Sequence, residues 1–129
     1  MKKKYLIVIA DYYKDISKGL LSSAKSILPK SSLIEIINVP GVFEIPVTIS
    51  KNLKKFEAFI ALGCVIKGQT PHFEFISHAT TDAIMKLSIS SKKPVGNGII
   101  TCLNMKQAKA RKKKGAEAAN AILSVLSQK

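Results

Sequence analysis

The sequence predicts an α/β fold, a three-layer sandwich in which a four-stranded parallel sheet carries helices on both faces. Apolar, β-branched segments alternate four times with segments of helical periodicity along the chain. The strand segments are also apolar throughout, which is typical of parallel strands buried on both faces. Because such sheets bind ligands where loops leave the carboxyl ends of the strands, functional residues are expected at that edge.

The first half of the chain provides two strand and helix pairs. YLIVIA, residues 5–10, is the first strand, and apolar residues at helical spacing predict a helix over residues 16–28, which a proline ends. SLIEIINV, residues 32–39, is the second strand. A helix is then predicted over residues 44–53, with Pro46 tolerated because it falls in the first turn.

The second half repeats this order. FEAFIALGCVI, residues 56–66, is predicted as a central strand, followed by a helix with Thr70 as N-cap and Pro71 as its first residue. PVGNGIITCL, residues 94–103, is the fourth strand, and Asn104 caps a helical ending. The expected apolar stripes of these helices consist of Phe73, Ile76, Ala79, Ala83, Ile84 and Leu87, and of Ala116, Ala119, Ile122, Leu123 and Leu126.

Length and composition favour one soluble domain, residues 1–129. The chain has 129 residues, within the range of a single core, and no apolar run approaches the ~20 residues that cross a bilayer. The basic start MKKKYLIVIADYYKD resembles a secretory signal, but its apolar run stops at Asp11 and is too short for one. Cys64 and Cys102 lie in strand segments, which favours buried thiols in a reducing cytoplasm over a disulfide or metal site.

The formal net charge of +13 favours anionic ligands, such as a phosphorylated metabolite or nucleic acid. Of the 21 basic residues only Arg111 is an arginine, and the densest basic run, residues 106–114, contains no aromatic residue. Because nucleic-acid sites usually interleave arginine with aromatic side chains, a nucleic-acid partner is the less favoured prediction.

The loop KGQTPH after the third strand has two candidate functions. Gly68, Gln69 and Thr70 precede a helix N-terminus, where free backbone N–H groups and the helix dipole favour phosphate; a simple capping turn is the alternative. Imidazole exchanges protons near neutral pH, so His72 is the candidate for proton transfer, with a polar surface residue as the alternative.

The other loops at this edge supply further candidates. Glu44 is placed to hydrogen-bond a ligand or simply to complement a helix dipole, and Gly41 permits close approach to the backbone. One of Tyr12 and Tyr13 is placed to stack on a flat heterocycle. Arg111 is suited to a bidentate phosphate contact, although a basic residue at a helix end usually faces water.

As a set, these segments resemble the 6,7-dimethyl-8-ribityllumazine synthase family. The resemblance rests on VPGVFEIP, LGCVIKGQTPHFEFIS, KPVGNGIIT, QAKAR and KGAEAA, in this order, and runs from about Tyr5 to the end. It implies a flavodoxin-like fold and a transferase of riboflavin biosynthesis. The reaction would join 5-amino-6-(D-ribitylamino)uracil to 3,4-dihydroxy-2-butanone 4-phosphate, with no metal or organic cofactor.

The resemblance also implies roles by position. Tyr12 would stack on the pyrimidine, and His72 would transfer protons. The phosphate would be held by Gln69 and Thr70 together with Arg111. The pyrimidine and its ribityl chain would be held by Val42, Phe43, Glu44, Cys64, Val65 and Ile66.

Family members assemble as pentamers, in some cases as hollow shells of pentamers, with each site between neighbouring subunits. Asn97 and Arg111 would then complete the pocket whose Tyr12 and His72 come from the adjacent chain, and a monomer would be nearly inactive.

Three features depart from the family pattern. Asn97 stands where many members have phenylalanine, Asp11 stands where a basic residue is common, and the linker between Arg111 and Gly115 is shortened. The changed linker leaves the assembly state open. Two alternatives therefore remain at this stage, a catalytically altered member of the family and a basic nucleic-acid-binding α/β protein.

Overall fold

Strand and helix alternate along the chain as predicted. The computed structural model describes residues 2–128. Its elements are, in chain order, β1 (Lys4–Ala10), α1 (Lys14–Ile27), β2 (Leu33–Val39), a 3-10 turn (Val42–Glu44), α2 (Ile45–Lys51), β3 (Ala58–Ile66), α3 (His72–Ser91), β4 (Val95–Cys102), α4 (Met105–Ala110) and α5 (Lys114–Leu126). The four strands form one parallel sheet in the order β2-β1-β3-β4, so the predicted central position of β3 is confirmed.

Helices cover both faces of the sheet, which confirms the three-layer α/β fold. On one face, the α1–α5 face, a core cluster joins β1, β3 and β4 to α1, α4 and α5 through residues such as Leu20, Ala108 and Ile122. On the other, the α2–α3 face, a second cluster joins the sheet to the 3-10 turn, α2 and α3 through residues such as Ile45 and Ile84. The continuous apolar sequences of β1 and β3 follow from this arrangement, since alternate side chains enter opposite clusters.

The two outer strands differ from the central pair. Strand β2 is apolar in sequence, but as an edge strand it leaves Leu33 46% and Ile36 39% exposed. On β4, residues alternate between buried and less buried positions, and Gly96 and Gly98 lie under α5 and β3. A Cβ on Gly96 would lie 2.3 Å from the carbonyl oxygen of Ala118, so the absent side chain allows α5 to pack directly on the strand.

Three predicted helices have slightly different bounds in the structure, and α1, predicted over residues 16–28, spans Lys14–Ile27. The helix expected over residues 44–53 is preceded by the 3-10 turn and ends at Lys51, while Pro46 does fall in its first turn. Helix α3 begins at His72 rather than at Pro71 because Pro71, at φ −71° and ψ 5°, is the capping residue. The Thr70 hydroxyl accepts a hydrogen bond from the His72 N–H at 3.3 Å and so forms a short turn that begins one residue before the capping residue.

The Asn104 cap is confirmed, with its Oδ1 accepting from the Gln107 N–H at 2.9 Å. The Gln107 side chain returns the contact by accepting from the Leu103 N–H at 2.7 Å. This pair fixes the start of α4 just beyond the carboxyl end of β4.

Helix α3 is poorly covered within one chain. Of its predicted apolar stripe, Ile84 is buried, Phe73, Ile76, Ala83 and Leu87 are partly buried, and Ala79 is exposed, contrary to the prediction. Phe75 and Ile89 on the same helix are each 67% exposed. No helix in the described part of the chain is long and apolar enough to cross a membrane.

Candidate functional site

A cavity of about 340 Å³ opens at the carboxyl edge of the sheet, where the loops after β1, β2 and β3 meet. Most of the residues predicted to bind the pyrimidine line it, although no two of the three loops are adjacent in sequence. The lining residues are Tyr12, Tyr13, Gly41, Val42, Phe43, Cys64, Val65, Ile66, His72 and Ile76.

The absence of a side chain at Gly63 brings the 3-10 turn onto the end of β3. A Cβ on Gly63 would lie 2.6 Å from Val42 Cγ1 and 3.2 Å from the Ala10 Cβ, closer than carbon atoms pack. Val42 itself is buried, whereas Phe43, the next residue, is 62% exposed on the cavity side. The glycine therefore positions the wall that Val42 and Phe43 form.

Two aromatic rings form the wall on the β1 side. Tyr12 is 75% exposed, and its ring meets that of Tyr13 edge to face, with centroids 4.9 Å apart and planes at 82°. Tyr13 is partly buried and packs against the core cluster on the α1–α5 face. The exposed face of Tyr12 is thus free to stack on a planar ligand.

Cys64 contributes a neutral, weakly polar surface to the floor of the cavity. Burial raises the pKa of its thiol to about 12, and the neighbouring Cys102 adds to the rise. Both cysteines are free and buried. A thiol in this state is a poor nucleophile.

His72 stands at the rim of the cavity as the first residue of α3, with an exposed side chain. The loop before it is held at one end by the Lys67 N–H, which donates to the Cys102 carbonyl at 2.8 Å. Lys67 and Glu74 approach to 3.9 Å across the loop, but both are about half exposed, so water and salt weaken this pair.

Three predicted binding residues lie beside the cavity without lining it. Gln69 and Thr70 are exposed in the loop before α3, next to its free N–H groups. The Glu44 side chain folds back towards Gly41, since a Cβ there would lie 3.3 Å from Glu44 Oε1. The carboxylate is therefore near the mouth of the cavity.

Asn97 and Arg111 lie in a second cavity, of about 520 Å³, which shares no lining residue with the first. It is formed along the open side of β4 by Asn97, Ile99, Ile100, Thr101, Ala110, Arg111, Lys113, Lys114 and Glu117. Arg111 Nη1 donates to the Thr101 carbonyl over a long 3.4 Å, and the Asn97 Oδ1 accepts from the Ile99 N–H at 3.0 Å. Within one chain, these two residues are not brought to His72.

Apart from Asn97, the residues that accompany Arg111 were missed in the sequence. One face of β4 presents Asn97, Ile99 and Thr101, which are two residues apart along the strand. This spacing of two was the sequence signal that they share a surface. Lys114 and Glu117 lie 3.6 Å apart at the start of α5. Because Lys114 offsets the negative charge of Glu117, the cavity has a net positive charge from Arg111 and Lys113.

No group of three or more histidine, cysteine and acidic side chains that could hold a metal ion is found among residues 2–128. The site consists instead of an apolar cavity with a histidine and two tyrosines, and a separate cationic cavity.

Comparison with known proteins decides the family. The model of the 6,7-dimethyl-8-ribityllumazine synthase family matches residues 2–129. The chain belongs to this family. It is 43% identical over 134 residues to 6,7-dimethyl-8-ribityllumazine synthase of Rhodopseudomonas palustris (strain BisA53), which covers 94% of this chain and 82% of that protein. It is 38% identical over 143 residues to the protein of the same name from Agrobacterium fabrum (strain C58), covering 100% and 97%.

A third relative, from Bartonella bacilliformis, is 44% identical over 115 residues, covering 85% of this chain and 76% of that protein. Membership of the lumazine synthase family explains the order of the quoted segments and confirms the resemblance. The comparisons give no support to the nucleic-acid-binding alternative.

Proposed function

We propose that this chain condenses 5-amino-6-(D-ribitylamino)uracil with 3,4-dihydroxy-2-butanone 4-phosphate to form 6,7-dimethyl-8-ribityllumazine in riboflavin biosynthesis. Membership of the lumazine synthase family over residues 2–129 supports the reaction. The cavity at the sheet edge supports the assignment of this reaction to particular residues, because an exposed aromatic ring, apolar walls and His72 meet there.

The first cavity suits the pyrimidine. Its volume of about 340 Å³ is in the range of small-molecule sites, and its walls are mainly apolar. The Tyr12 ring would stack on the pyrimidine, and Val42 and Phe43 would bound it on the other side. Glu44, at the mouth, would accept hydrogen bonds from the ribityl chain or the ring. Cys64, Val65 and Ile66 would form the floor.

Proton transfer is the main catalytic requirement of this reaction. The 5-amino group adds to the ketone and loses water to form an imine, phosphate is eliminated from the butanone carbon chain, and ring closure loses a second water. His72 at the cavity rim would remove and return protons at these steps, and holding both reactants together supplies the rest.

The phosphate would be bound by two elements. The N-terminus of the 20-residue helix α3 offers free N–H groups beside Gln69 and Thr70. Arg111 would complete this site with a charge-assisted contact to the phosphate oxygens. Asn97, beside Arg111, would face the pyrimidine in the assembled site.

These roles require two chains. Tyr12 and His72 line one cavity and Asn97 and Arg111 another, so one chain does not join them. A symmetric oligomer, which we propose to be based on a pentamer, would bring the second cavity of one subunit to the first cavity of its neighbour. The exposed Phe75 and Ile89 on α3 support such an assembly, since apolar surface of this kind marks interfaces. We also propose a cytoplasmic location, which the two free cysteines support.

The test is to mix the protein with both substrates and follow the fluorescence of the lumazine against the uncatalysed reaction. We expect acceleration, and in Arg111→Ala a KM for the butanone phosphate about 10- to 100-fold higher, because a hydrogen bond to a charged group is lost. Lys106→Ala is the control, as it removes a positive charge from α4 outside both cavities. An assembled wild-type protein that gives no acceleration would refute the proposed reaction.

A further inference from the structure

Tyr13 differs from its neighbour Tyr12 although both line the first cavity. Tyr12 is mostly exposed, whereas Tyr13 is partly buried and packs against the core on the α1–α5 face. Tyr13 also forms a wall of a smaller cavity of about 290 Å³ with Lys14, Asp15, Ile16, Met105 and Lys109. Tyr13 therefore borders two cavities, while its packing against the core holds its ring.

The hydroxyl of Tyr13 has no partner in the described part of the chain. No hydrogen bond joins it to another group among residues 2–128. It is also not among the fully enclosed unpaired side-chain atoms, which are Ser77 Oγ and Thr80 Oγ1. A partly buried phenol that remains open on one side is available to a ligand in the cavity.

The phenol remains protonated in this setting. Burial raises the pKa of Tyr13, and the nearby Cys64 thiol and Tyr12 raise it further. A neutral phenol both donates and accepts a hydrogen bond, so it can pair with an amide, carbonyl or hydroxyl of a ligand.

Polar side chains are scarce around it. The side chains of Val42, Phe43, Val65, Ile66 and Ile76 are apolar, and the Cys64 thiol is a weak donor. Unpaired polar groups of a bound ligand lower its affinity, so a polar side chain in this wall favours a ligand that can pair with it.

We propose that the Tyr13 hydroxyl hydrogen-bonds the ribitylaminopyrimidine in the first cavity and is a specificity-determining residue for this substrate. The proposal rests on the proposed function. Tyr12 then provides a face for stacking, and Tyr13 provides a hydrogen-bonding group. The two ring planes are nearly perpendicular, at 82°. The edge-to-face contact between the rings keeps both groups in place.

The experiment compares wild type, Tyr13→Phe and Tyr5→Phe. Tyr13→Phe removes one hydroxyl and keeps the ring, so the fold is preserved. We expect its KM for the ribitylaminopyrimidine to rise about three- to tenfold, the usual effect of one neutral hydrogen bond, with kcat and the KM for the butanone phosphate within about twofold. Calorimetric titration with 6,7-dimethyl-8-ribityllumazine should show the same factor in Kd.

Tyr5→Phe is the matched control, because Tyr5 is a buried tyrosine that lines neither the first nor the second cavity. It should leave both KM values and Kd unchanged. If wild type forms lumazine but Tyr13→Phe keeps its KM and Kd, the role of Tyr13 is refuted and the reaction stands. If wild type forms no lumazine, the proposed function fails first.

Discussion

Val42 and Gly63 are in contact at the point where the 3-10 turn crosses the carboxyl end of β3. A Cβ on Gly63 would lie only 2.6 Å from Val42 Cγ1, so the turn packs directly against the backbone of β3 at Gly63. The packing of one short turn thereby sets the position of Phe43, which forms a wall of the cavity.

Gly63→Ala should destabilise the protein by about 1–3 kcal/mol, the usual result of overpacking a core. It should also weaken pyrimidine binding, because the turn must move outwards. Urea unfolding gives the first quantity and calorimetric titration with the lumazine the second. Gly68→Ala is the control, since a Cβ there has no heavy atom within 4 Å, and its free energy of unfolding should be unchanged or slightly higher. Equal stability of the two variants would contradict the close packing.

The Cys64 thiol should be almost unreactive in the folded protein. Burial raises its pKa from 9.0 to about 12, so at pH 8 its thiolate fraction should fall about a thousandfold, and its reaction with a disulfide reagent such as dithiobis(nitrobenzoate) should be strongly slowed. In denaturant both cysteines should react at the rate of a free thiol. Rapid modification of native Cys64 would show that the cavity floor is more polar than the structure indicates.

The same shift makes stability depend on pH. The folded state holds the Cys64 proton more tightly than the unfolded chain does. The stabilisation that follows from this tighter binding is fully present below pH 9. It is lost as the pH rises from 9.0 towards about 12, where only the unfolded thiol ionises readily. Cys64→Ala should flatten the curve of stability against pH in that window.

Lys92→Gly should stabilise the protein. Lys92 follows the end of α3 with φ 59° and ψ 29°, and it is the one non-glycine residue with positive φ among residues 2–128. Glycine removes the left-handed strain, so we expect a gain of about 0.5–1 kcal/mol after the added flexibility of the unfolded chain. Lys86→Gly, in the helix interior, should instead cost about 1 kcal/mol. Thermal melting of both variants tests the opposite signs.

His72→Ala should lower kcat about a hundredfold without changing the melting temperature, since the side chain is exposed and its proposed role is proton transfer. The lumazine fluorescence assay measures the rate. His78→Ala serves as control, because His78 is exposed on the same helix and lines neither the first nor the second cavity. Equal rates for the two variants would remove His72 from the mechanism.

The sequence predicted those features that depend on neighbouring residues. The apolar segments of β1 and β3 indicated burial on both faces, and Asn104 indicated a cap, because both signals are local. The exposure of β2 follows from its place at the sheet edge, which depends on the order of the strands and not on its composition. Similarly, the close approach of Val42 to Gly63 is a long-range contact that no local pattern reveals.

Within the site, the first cavity could be predicted because parallel strands bring three successive loops to one edge. The second cavity could not be predicted in this way. Arg111 lies with Lys113 and Glu117 along β4 because of how α4 and α5 turn back across that strand, which no local pattern indicates. The separation of Arg111 from His72 within one chain is the part of the structure with the largest consequence for function.

Mixing two variants that are each nearly inactive at a low concentration of the butanone phosphate tests that separation. When His72→Ala and Arg111→Ala chains are coexpressed with different tags and purified as mixed oligomers, a site between neighbours takes Arg111 from one chain and His72 from the other. Random assembly of equal amounts then leaves about one quarter of the sites with both side chains, and the same share of wild-type activity. Pairing His72→Ala with the double variant His72→Ala/Arg111→Ala gives no intact site and should stay inactive. If mixed oligomers are verified by native mass spectrometry and show no recovery, each site lies within one chain and the two cavities serve different purposes.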